Sequence, residues 1–264
     1  PAVSFVAEES GQSVELDPTD PTEVSFTVTR EKADAAASYN LKVLSNTDDV
    51  FVVPATVDFA AGAKEATVKA TFNNAEVGKT YSFEVALDDE VVNPYKSSTR
   101  KSFTFKAVRV KWNSIGTGQW IDNFWYGFWD EIEIQQRDDK PEYYRVKSLY
   151  TDDFVTSSGS ALGTYKDYFV FKVSKDGYVT WDTPLCINTS YQDTGIDILG
   201  HLPSQLSPDF AGDDAQSVAT YDDEGNIQYL TIAPYWYVGG LGGFGINNLY
   251  LAFPGYDLAS ELGF

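Results

Sequence analysis

The sequence contains a single cysteine, Cys186, a single histidine, His201, and no methionine. One cysteine excludes a disulfide within the chain, a zinc cluster of several thiolates and a Cys-x-x-Cys redox pair. Cys186 stands in the apolar segment PLCI, which favours a buried small side chain over a nucleophile. A Ser-His-Asp or Cys-His catalytic device would have to use His201, and no catalytic motif surrounds it in ILGHLPSQL.

Long apolar runs and an excess of positive charge are also missing. Without a run of about 18 apolar residues, no transmembrane helix is expected. The 19 Lys and Arg residues stand against 39 Asp and Glu residues, which gives a net charge of −20. With no basic stripe to contact phosphates, we expect neither a nucleic-acid partner nor direct binding to an anionic membrane surface. The acidity itself favours solubility.

The sequence lacks the common catalytic and cofactor motifs. It contains no Gly-x-Ser-x-Gly elbow and no His-Glu-x-x-His, and the glycine-rich stretch 239–243 has no lysine for a phosphate. Adjacent acidic pairs such as Asp152-Asp153 and Asp213-Asp214 could hold calcium through oxygen ligands. None has the D-x-D-x-D-G spacing, so we expect no cofactor and leave calcium as the one open option.

What the sequence does contain is strand periodicity. In the first hundred residues apolar and polar positions alternate in EVSFTVT, EATVKATF and TYSFEVAL, with turn residues such as DPTDP between them. Such runs are typical of strands with one solvated face. About seven strands at this spacing predict an antiparallel sandwich of immunoglobulin-like type.

A change of phase marks a boundary near residue 107. The apolar residues Phe103, Phe105 and Ala107 stand at odd positions, whereas Val110 and Trp112 stand at even positions. Because a one-residue shift exchanges the buried and exposed faces of a strand, one core is expected to end here. The sequence therefore predicts two domains, residues 1–107 and residues 108–264.

The second part is also rich in strands, and two of its hairpins can be read directly. YFVFKVS and YVTW flank Lys175-Asp176-Gly177, and SVATY and IQYLTI flank residues 222–226. A short turn that contains glycine between two apolar runs is a hairpin signal. Helical hints are confined to residues 31–37 and 257–262. We expect an all-β chain whose second domain is a larger β-sandwich or barrel-like domain.

Segments of both parts resemble a known family. In the first part these are AVSFVAEES, EVSFTVTREK, TVDFAAGAKEATVKATF, GKTYSFEVAL, the Asn93-Pro94-Tyr95 turn and KSFTFKAV, and in the second they are WNSIGTGQW, EIEIQQ and YRVKSLY. The first set resembles the Calx-beta-like or immunoglobulin-like modules of Bacteroidetes surface lipoproteins, and the second set resembles their partner domain. The resemblance spans most of the chain.

The resemblance implies an exported protein held on the outer membrane by a lipid on an N-terminal cysteine, with no other membrane insertion. Several members of that family sit beside glycan-uptake systems. The printed chain begins at Pro1 with neither methionine nor an apolar leader, which we interpret as a mature or truncated form. The calcium ligands of true Calx-beta domains have no matching residues here, so the resemblance implies no metal site.

Two aromatic clusters are the candidate binding sites. Sugars are bound by flat aromatic faces, with carboxylates and amides taking the hydroxyls. The first cluster lies within residues 120–130 and the second within residues 235–237, where a glycine-rich stretch follows. The candidate residues are Trp120, Asp122, Asn123, Trp125, Tyr126, Trp129, Asp130, Tyr235, Trp236 and Tyr237. The competing interpretation is that these aromatic side chains fill a core.

Three functions remain open at this point. The preferred one is a non-catalytic surface protein for binding or adhesion, whose partner is a glycan or another surface protein. The second is a glycoside hydrolase, which needs two facing carboxylates. Glu131 and Glu133 share one strand face, although a solvated face explains them equally well. The third is a structural module that packs its aromatic face on another subunit.

Overall fold

The structure is a computed structural model that describes residues 2–6 and 11–264. The chain forms two compact units, Pro1–Lys111 and Trp112–Phe264. Strand β8 runs through the boundary drawn from the sequence at residue 107 and ends at Arg109. Each unit has its own hydrophobic core.

In the part of the first unit that the structure describes, eight strands form two sheets. They are β1 Val3–Phe5, β2 Gly11–Leu16, β3 Glu23–Arg30, β4 Ala37–Asn46, β5 Thr56–Phe59, β6 Glu65–Thr71, β7 Thr80–Leu87 and β8 Ser102–Arg109. The sheet orders are β1-β3-β6 and β2-β8-β7-β4-β5. Strand β2 runs parallel to β8, whereas the other named strand pairs described in this unit are antiparallel.

The alternation in the sequence corresponds to burial in this unit. Phe103 and Phe105 of β8 are fully buried, and Phe26 and Phe83 pack with them in one aromatic core. The opening segment AVSFVAEES contributes β1, while its residues 7–10 lie outside the described residues.

The helical hint at residues 31–37 was wrong. The segment forms bends up to β4, and the buried guanidinium of Arg30 binds one of its carbonyl groups and two of a neighbouring loop. Arg30 donates to the carbonyl oxygens of Ala35 at 2.8 Å, Ala60 at 2.7 Å and Ala63 at 2.8 Å. Carbonyl groups bound in this way are unavailable to a helix ladder.

The second unit has twelve strands and three short helices. The strands are β9 Trp112–Asp122, β10 Phe128–Arg137, β11 Tyr143–Lys147, β12 Tyr168–Val173, β13 Val179–Thr180, β14 Leu185–Ser190, β15 Asp197–His201, β16 Val218–Tyr221, β17 Ile227–Ile232, β18 Tyr235–Val238, β19 Gly242–Ile246 and β20 Leu249–Ala252. The helices are α1 Asp152–Ser157, α2 Pro203–Leu206 and α3 Leu258–Leu262. Short 3-10 segments occur at Tyr191–Asp193 and Pro208–Gln216 in this unit and at Thr47–Asp49 in the first unit. Both hairpins read from the sequence are confirmed as β12–β13 and β16–β17.

An eight-stranded sheet in the order β13-β12-β11-β10-β9-β20-β17-β16 forms most of this unit. Its two edges meet, since Val179 donates to the carbonyl of Ser217 at 2.9 Å and Ala219 donates to that of Gly177 at 2.8 Å. The sheet is therefore a nearly closed barrel, which confirms the predicted all-β class with a barrel-like second part. A second sheet, β14-β15-β18-β19, shares its core.

The Gly-Thr-Gly motif, residues 116–118, lies in β9 close to the backbone at the end of β20. A Cβ atom on Gly118 would lie 2.0 Å from the carbonyl oxygen of Ala252 and 2.7 Å from Cδ1 of Ile134. No side chain fits at that separation, so glycine is required for β9 to pair with β20. Helix α3 covers the outer face nearby, where Leu258 and Ala259 pack on Ile121.

Candidate functional site

Two hairpin turns and one strand of the second unit converge through aromatic contacts. The turns connect β9 with β10 and β14 with β15, and the strand is β19 of the β18–β19 hairpin. The ring centroids of Trp125 and Phe244 lie 5.0 Å apart, and those of Tyr191 and Phe244 lie 5.5 Å apart. Phe124 packs on Trp125 at 4.9 Å. We call these four side chains, Phe124, Trp125, Tyr191 and Phe244, the hairpin-tip surface.

A buried carboxylate shapes the first of these turns. Oδ1 of Asp122 accepts hydrogen bonds from the backbone N–H groups of Phe124 at 3.0 Å and Trp125 at 2.8 Å. Its Oδ2 accepts the hydroxyl hydrogen of Tyr150 at 2.9 Å, and Trp120 Nε1 donates to that hydroxyl at 3.3 Å. An aspartate that binds the backbone of its own turn restricts the turn to one conformation. Asp122 thus positions the aromatic residues that follow it.

Burial dominates the electrostatics of this network. Burial raises the pKa of Asp122, and the backbone hydrogen bonds from Phe124 and Trp125 counteract part of that rise. Burial also raises the pKa of Tyr150 well above its usual value, and the charge of Asp122 adds to the effect. The tyrosine hydroxyl therefore keeps its proton and remains a donor to the carboxylate.

The hairpin-tip surface is only partly covered. Phe124 is 38% exposed and Phe244 is 39% exposed, whereas Trp125 and Tyr191 are half-buried. Trp125 rests edge-on against the buried Trp236 at 5.6 Å. Its indole N–H has no hydrogen-bond partner among the described residues. Exposed aromatic rings held on a buried base form a rigid apolar patch of the kind that contacts ligands.

A polar groove lies next to this surface and shares Tyr191 with it. Its other lining residues are Gly159, Ser160, Ala161, Thr189, Ser190, Gln192, Asp193 and Ile198. Gln192 and Asp193 have φ values of 47° and 59°, and nearby Asn188 has a φ of 53°. Left-handed backbone at residues other than glycine costs free energy and is concentrated at functional sites. The groove places hydroxyl, amide and carboxylate groups beside an aromatic patch.

Three of the candidate residues are buried in the structure. Trp120 is 1% exposed, while Trp236 and Asp122 are 0% exposed. The rings of Trp120 and Trp236 lie in the core of the barrel, because their strand positions point inward. Neither ring face is available for stacking on a ligand in this structure, and the Asp122 carboxylate binds protein groups. These three residues support the hairpin-tip surface from below.

The remaining candidates are distributed over several places. Asn123, Trp129 and Asp130 are exposed, with Trp129 at 40%. Tyr126 is half-buried and its hydroxyl hydrogen-bonds Thr189 Oγ1. The two tyrosines of β18 point away from Trp236, and they are half-buried. Tyr235 stacks on Phe210 at 5.5 Å, and Tyr237 packs edge-on against His201 at 6.3 Å.

The sequence reasoning missed three members of the surface, Phe124, Tyr191 and Phe244, although Phe124 stands within the first aromatic cluster. Phe244 stands inside the glycine-rich stretch, where its neighbours suggested only a close approach of the backbone. Tyr191 stands in NTSYQD, which carries no periodic signal. Both residues come close to Trp125 only through the pairing of strands that are distant in the sequence.

Four other side chains that could take part in chemistry lie in different environments. Cys186 is fully buried, and burial raises the pKa of its thiol. Burial lowers the pKa of His201. Glu131 and Glu133 are both exposed on β10, as a solvated strand face predicts. Across residues 2–6 and 11–264, no group of three or more His, Cys, Asp or Glu side chains is arranged to hold a metal ion.

No helix in the described part of the chain is both long enough and apolar enough to cross a membrane.

No protein-family model matches the sequence, and no curated protein matches it. A crystal structure of an auxiliary nutrient binding protein from Bacteroides thetaiotaomicron aligns with 94% of this chain and 90% of its own, at 7% identity and a TM-score of 0.29. Chains that superpose to this extent need not share a fold, so the likeness supports no conclusion about this protein.

Proposed function

We propose that the second unit is a non-catalytic binding domain of a cell-surface protein and that it binds a glycan at the hairpin-tip surface. The observation that supports this most is the partly exposed aromatic cluster beside a groove of hydroxyl, amide and carboxylate groups. Apolar sugar faces pack on aromatic rings, while sugar hydroxyls exchange hydrogen bonds with such polar groups. The first unit serves as a spacer.

The cellular location is part of the same proposal. The family resemblance implies export and a lipid anchor on the outer membrane. A spacer of all-β type in front of a binding unit suits a protein that displays its ligand surface outside the cell. The hydrolase alternative is weaker, because Glu131 and Glu133 are both exposed on β10, as residues of a solvated strand face are.

Retention on polysaccharides tests the proposal. Phe124→Ala and Phe244→Ala remove exposed rings and leave the buried base intact, so both variants are expected to fold. Each should lose at least about fivefold in affinity for the glycan that wild type retains, since truncating an aromatic ring that carries binding energy costs more than about 1 kcal/mol. Tyr95→Ala is the matched control, because Tyr95 is a 96% exposed aromatic residue of the first unit.

Equal retention by wild type and both variants would remove the hairpin-tip surface from the site. The assembly alternative gives a different result. If these rings pack on another copy or subunit, light scattering should show an oligomer that Phe124→Ala or Phe244→Ala dissociates. A monomeric wild type that binds glycan through these rings excludes that interpretation.

A further inference from the structure

The outward face of strands β11 and β12 combines cations with aromatic rings. Direct pairs across these strands are Tyr143 with Lys172, Arg145 with Val170, and Lys147 with Tyr168. Paired residues of antiparallel strands point to the same side of a sheet. The alternate positions, such as Phe169 and Phe171, are buried in the barrel core, so the cationic residues occupy the opposite face.

One cation on this face is structural. The guanidinium of Arg145 lies 3.9 Å from the ring centroid of Tyr168 and 4.6 Å from that of Trp112, and Arg145 is 6% exposed. Its Nε donates to Gln135 Oε1 at 2.7 Å. A guanidinium held between two rings fixes the orientation of both. Tyr168, which is 36% exposed, is therefore a preorganised ring at the surface.

A groove runs beside this ring. We call it the β12 groove and define it by Lys166, Tyr168, Val170, Lys172, Trp181 and Asp182. Lys166 and Lys172 are exposed, and Lys172 Nζ lies 5.5 Å from the ring centroid of Tyr143. The acidic groups here are Asp182, which lines the groove, and Asp167, which follows Lys166 in the chain.

The two groove lysines differ from several other lysines of this acidic protein. Four lysines of the first unit form ion pairs with carboxylates, as Lys69 does with Glu23 at 2.8 Å and Lys96 with Glu31 at 2.9 Å. Within the described residues, no such ion pair involves Lys166 or Lys172. Their ammonium groups can therefore take an external anion without first breaking an ion pair.

We propose that the β12 groove is a second binding site, which takes a sugar unit carrying a carboxylate or sulfate group. Lys166 and Lys172 contact separate acidic groups of the ligand, and the sugar ring packs on Tyr168. The choice of a sugar rests on the proposed glycan-binding function. The choice of an anionic sugar rests on the lysine pair.

The net charge of −20 does not exclude this ligand. At an ionic strength of about 0.15 M the Debye length is about 8 Å, so remote carboxylates are largely screened while a lysine in contact is not. Overall repulsion instead selects against densely charged polyanions. An oligosaccharide with separated acidic groups suits such a site better than a nucleic acid does.

The test uses the whole chain and two acidic probes, tetragalacturonate and a sulfated galactan tetrasaccharide, in calorimetric titrations at about 0.15 M salt. The fully methyl-esterified tetragalacturonate keeps the sugar backbone and loses the charge. Wild type should bind at least one acidic probe, and which one it binds distinguishes carboxylate from sulfate. The Lys166→Gln/Lys172→Gln double variant and the methyl ester should each weaken binding at least about fivefold.

A matched control removes the same charge elsewhere. Lys32→Gln/Lys106→Gln changes two exposed lysines of the first unit and should bind like wild type. Equal binding of the acidic probe by the lysine double variant and wild type overturns the groove site, and so does equal binding of tetragalacturonate and its ester where tetragalacturonate is the probe that binds. If neither acidic probe binds while a neutral glycan is retained through Phe124 and Phe244, the groove site fails and the proposed function stands. If no glycan binds at all, both fail.

Discussion

Tyr150 donates a hydrogen bond of 2.9 Å from its hydroxyl to Oδ2 of Asp122, and both residues are fully buried. This bond links the core of the barrel to the turn that carries Phe124 and Trp125. Asp122 holds that turn through two backbone N–H groups. The conformation of the candidate site therefore depends on a buried carboxylate, and the pH dependence of stability should reveal it.

Asp122→Asn should change how stability varies with pH. The folded pKa of Asp122 is raised above its ordinary value of 3.8, so the folded state binds the proton more tightly than the unfolded state. The contribution of this group to the free energy of unfolding therefore decreases as pH rises from 3.8 through its folded pKa, and the decrease is complete above that pKa. The free energy of unfolding of wild type minus that of Asp122→Asn should fall over this range in denaturant titrations. A difference that rises with pH would show a lowered pKa instead.

Tyr150→Phe should destabilise the second unit by about 1–3 kcal/mol, because a buried polar group without a partner costs about that much. The change leaves Asp122 Oδ2 and Trp120 Nε1 without the tyrosine hydroxyl. Tyr95→Phe, at a 96% exposed position, should change stability by less than about 0.5 kcal/mol. Urea unfolding followed by tryptophan fluorescence measures both. Equal stability of wild type and Tyr150→Phe would mean that the hydrogen bonds of the hydroxyl contribute no net free energy to folding.

Gly118→Ala should destabilise the protein by about 3 kcal/mol or more, because overpacking at a rigid backbone contact cannot relax easily. The new Cβ would meet the Ala252 carbonyl oxygen at 2.0 Å. Gly212→Ala is the matched control, since a Cβ there meets nothing within 4 Å. Thermal unfolding should show a large loss for the first variant and almost none for the second. A small loss at Gly118 would indicate that β9 and β20 can separate without cost.

Arg30→Lys should destabilise the first unit by about 1–3 kcal/mol, because a lysine cannot satisfy three carbonyl groups in the geometry of a guanidinium. Arg30 is 4% exposed and its guanidinium also lies 4.8 Å from the ring centroid of Phe59. Lys69→Ala removes an exposed ion pair and should cost about 0–1 kcal/mol. Comparable losses in the two variants would contradict the structural role of Arg30.

Cys186 should be inert to thiol reagents in the folded protein and should react once the protein is unfolded in denaturant. The side chain is 0% exposed, and its thiol donates to the Thr164 carbonyl oxygen at 3.0 Å. Burial raises the pKa of the thiol, so little of the reactive thiolate forms at neutral pH. A colorimetric thiol assay with and without denaturant measures this. Rapid labelling of the native protein would show that β14 opens readily.

Local patterns sufficed for the strands and for some of the turns. Alternation in EATVKAT and TYSFEVAL became β6 and β7, and the glycine-containing turn after Lys175 became a hairpin. These features depend on neighbours within a few residues, where periodicity and turn chemistry act. The bends at residues 31–36 escaped this reasoning, because the groups that decide them include the side chain of Arg30 and a loop some thirty residues away.

In the candidate site, too, local patterns identified some residues, whereas tertiary contacts decided which of them are exposed. The sequence placed Trp125 and Trp236 in two separate aromatic clusters, and the structure brings the centroids of their rings to 5.6 Å. The sequence could not separate Trp120, which is buried, from Phe124, which is exposed. It also could not find Tyr191, because that residue reaches the surface through a turn of another sheet.

The sequence by itself determined the all-β class, the acidic character, the absence of a disulfide and the segments that are rich in aromatic residues. These depend on composition and on short-range period. Only the tertiary structure decided which rings reach the solvent and which residues surround them. Exposure is a property of the strands and turns that cover a side chain, and in the second unit those partners come from positions more than a hundred residues apart, as Trp125 and Phe244 do.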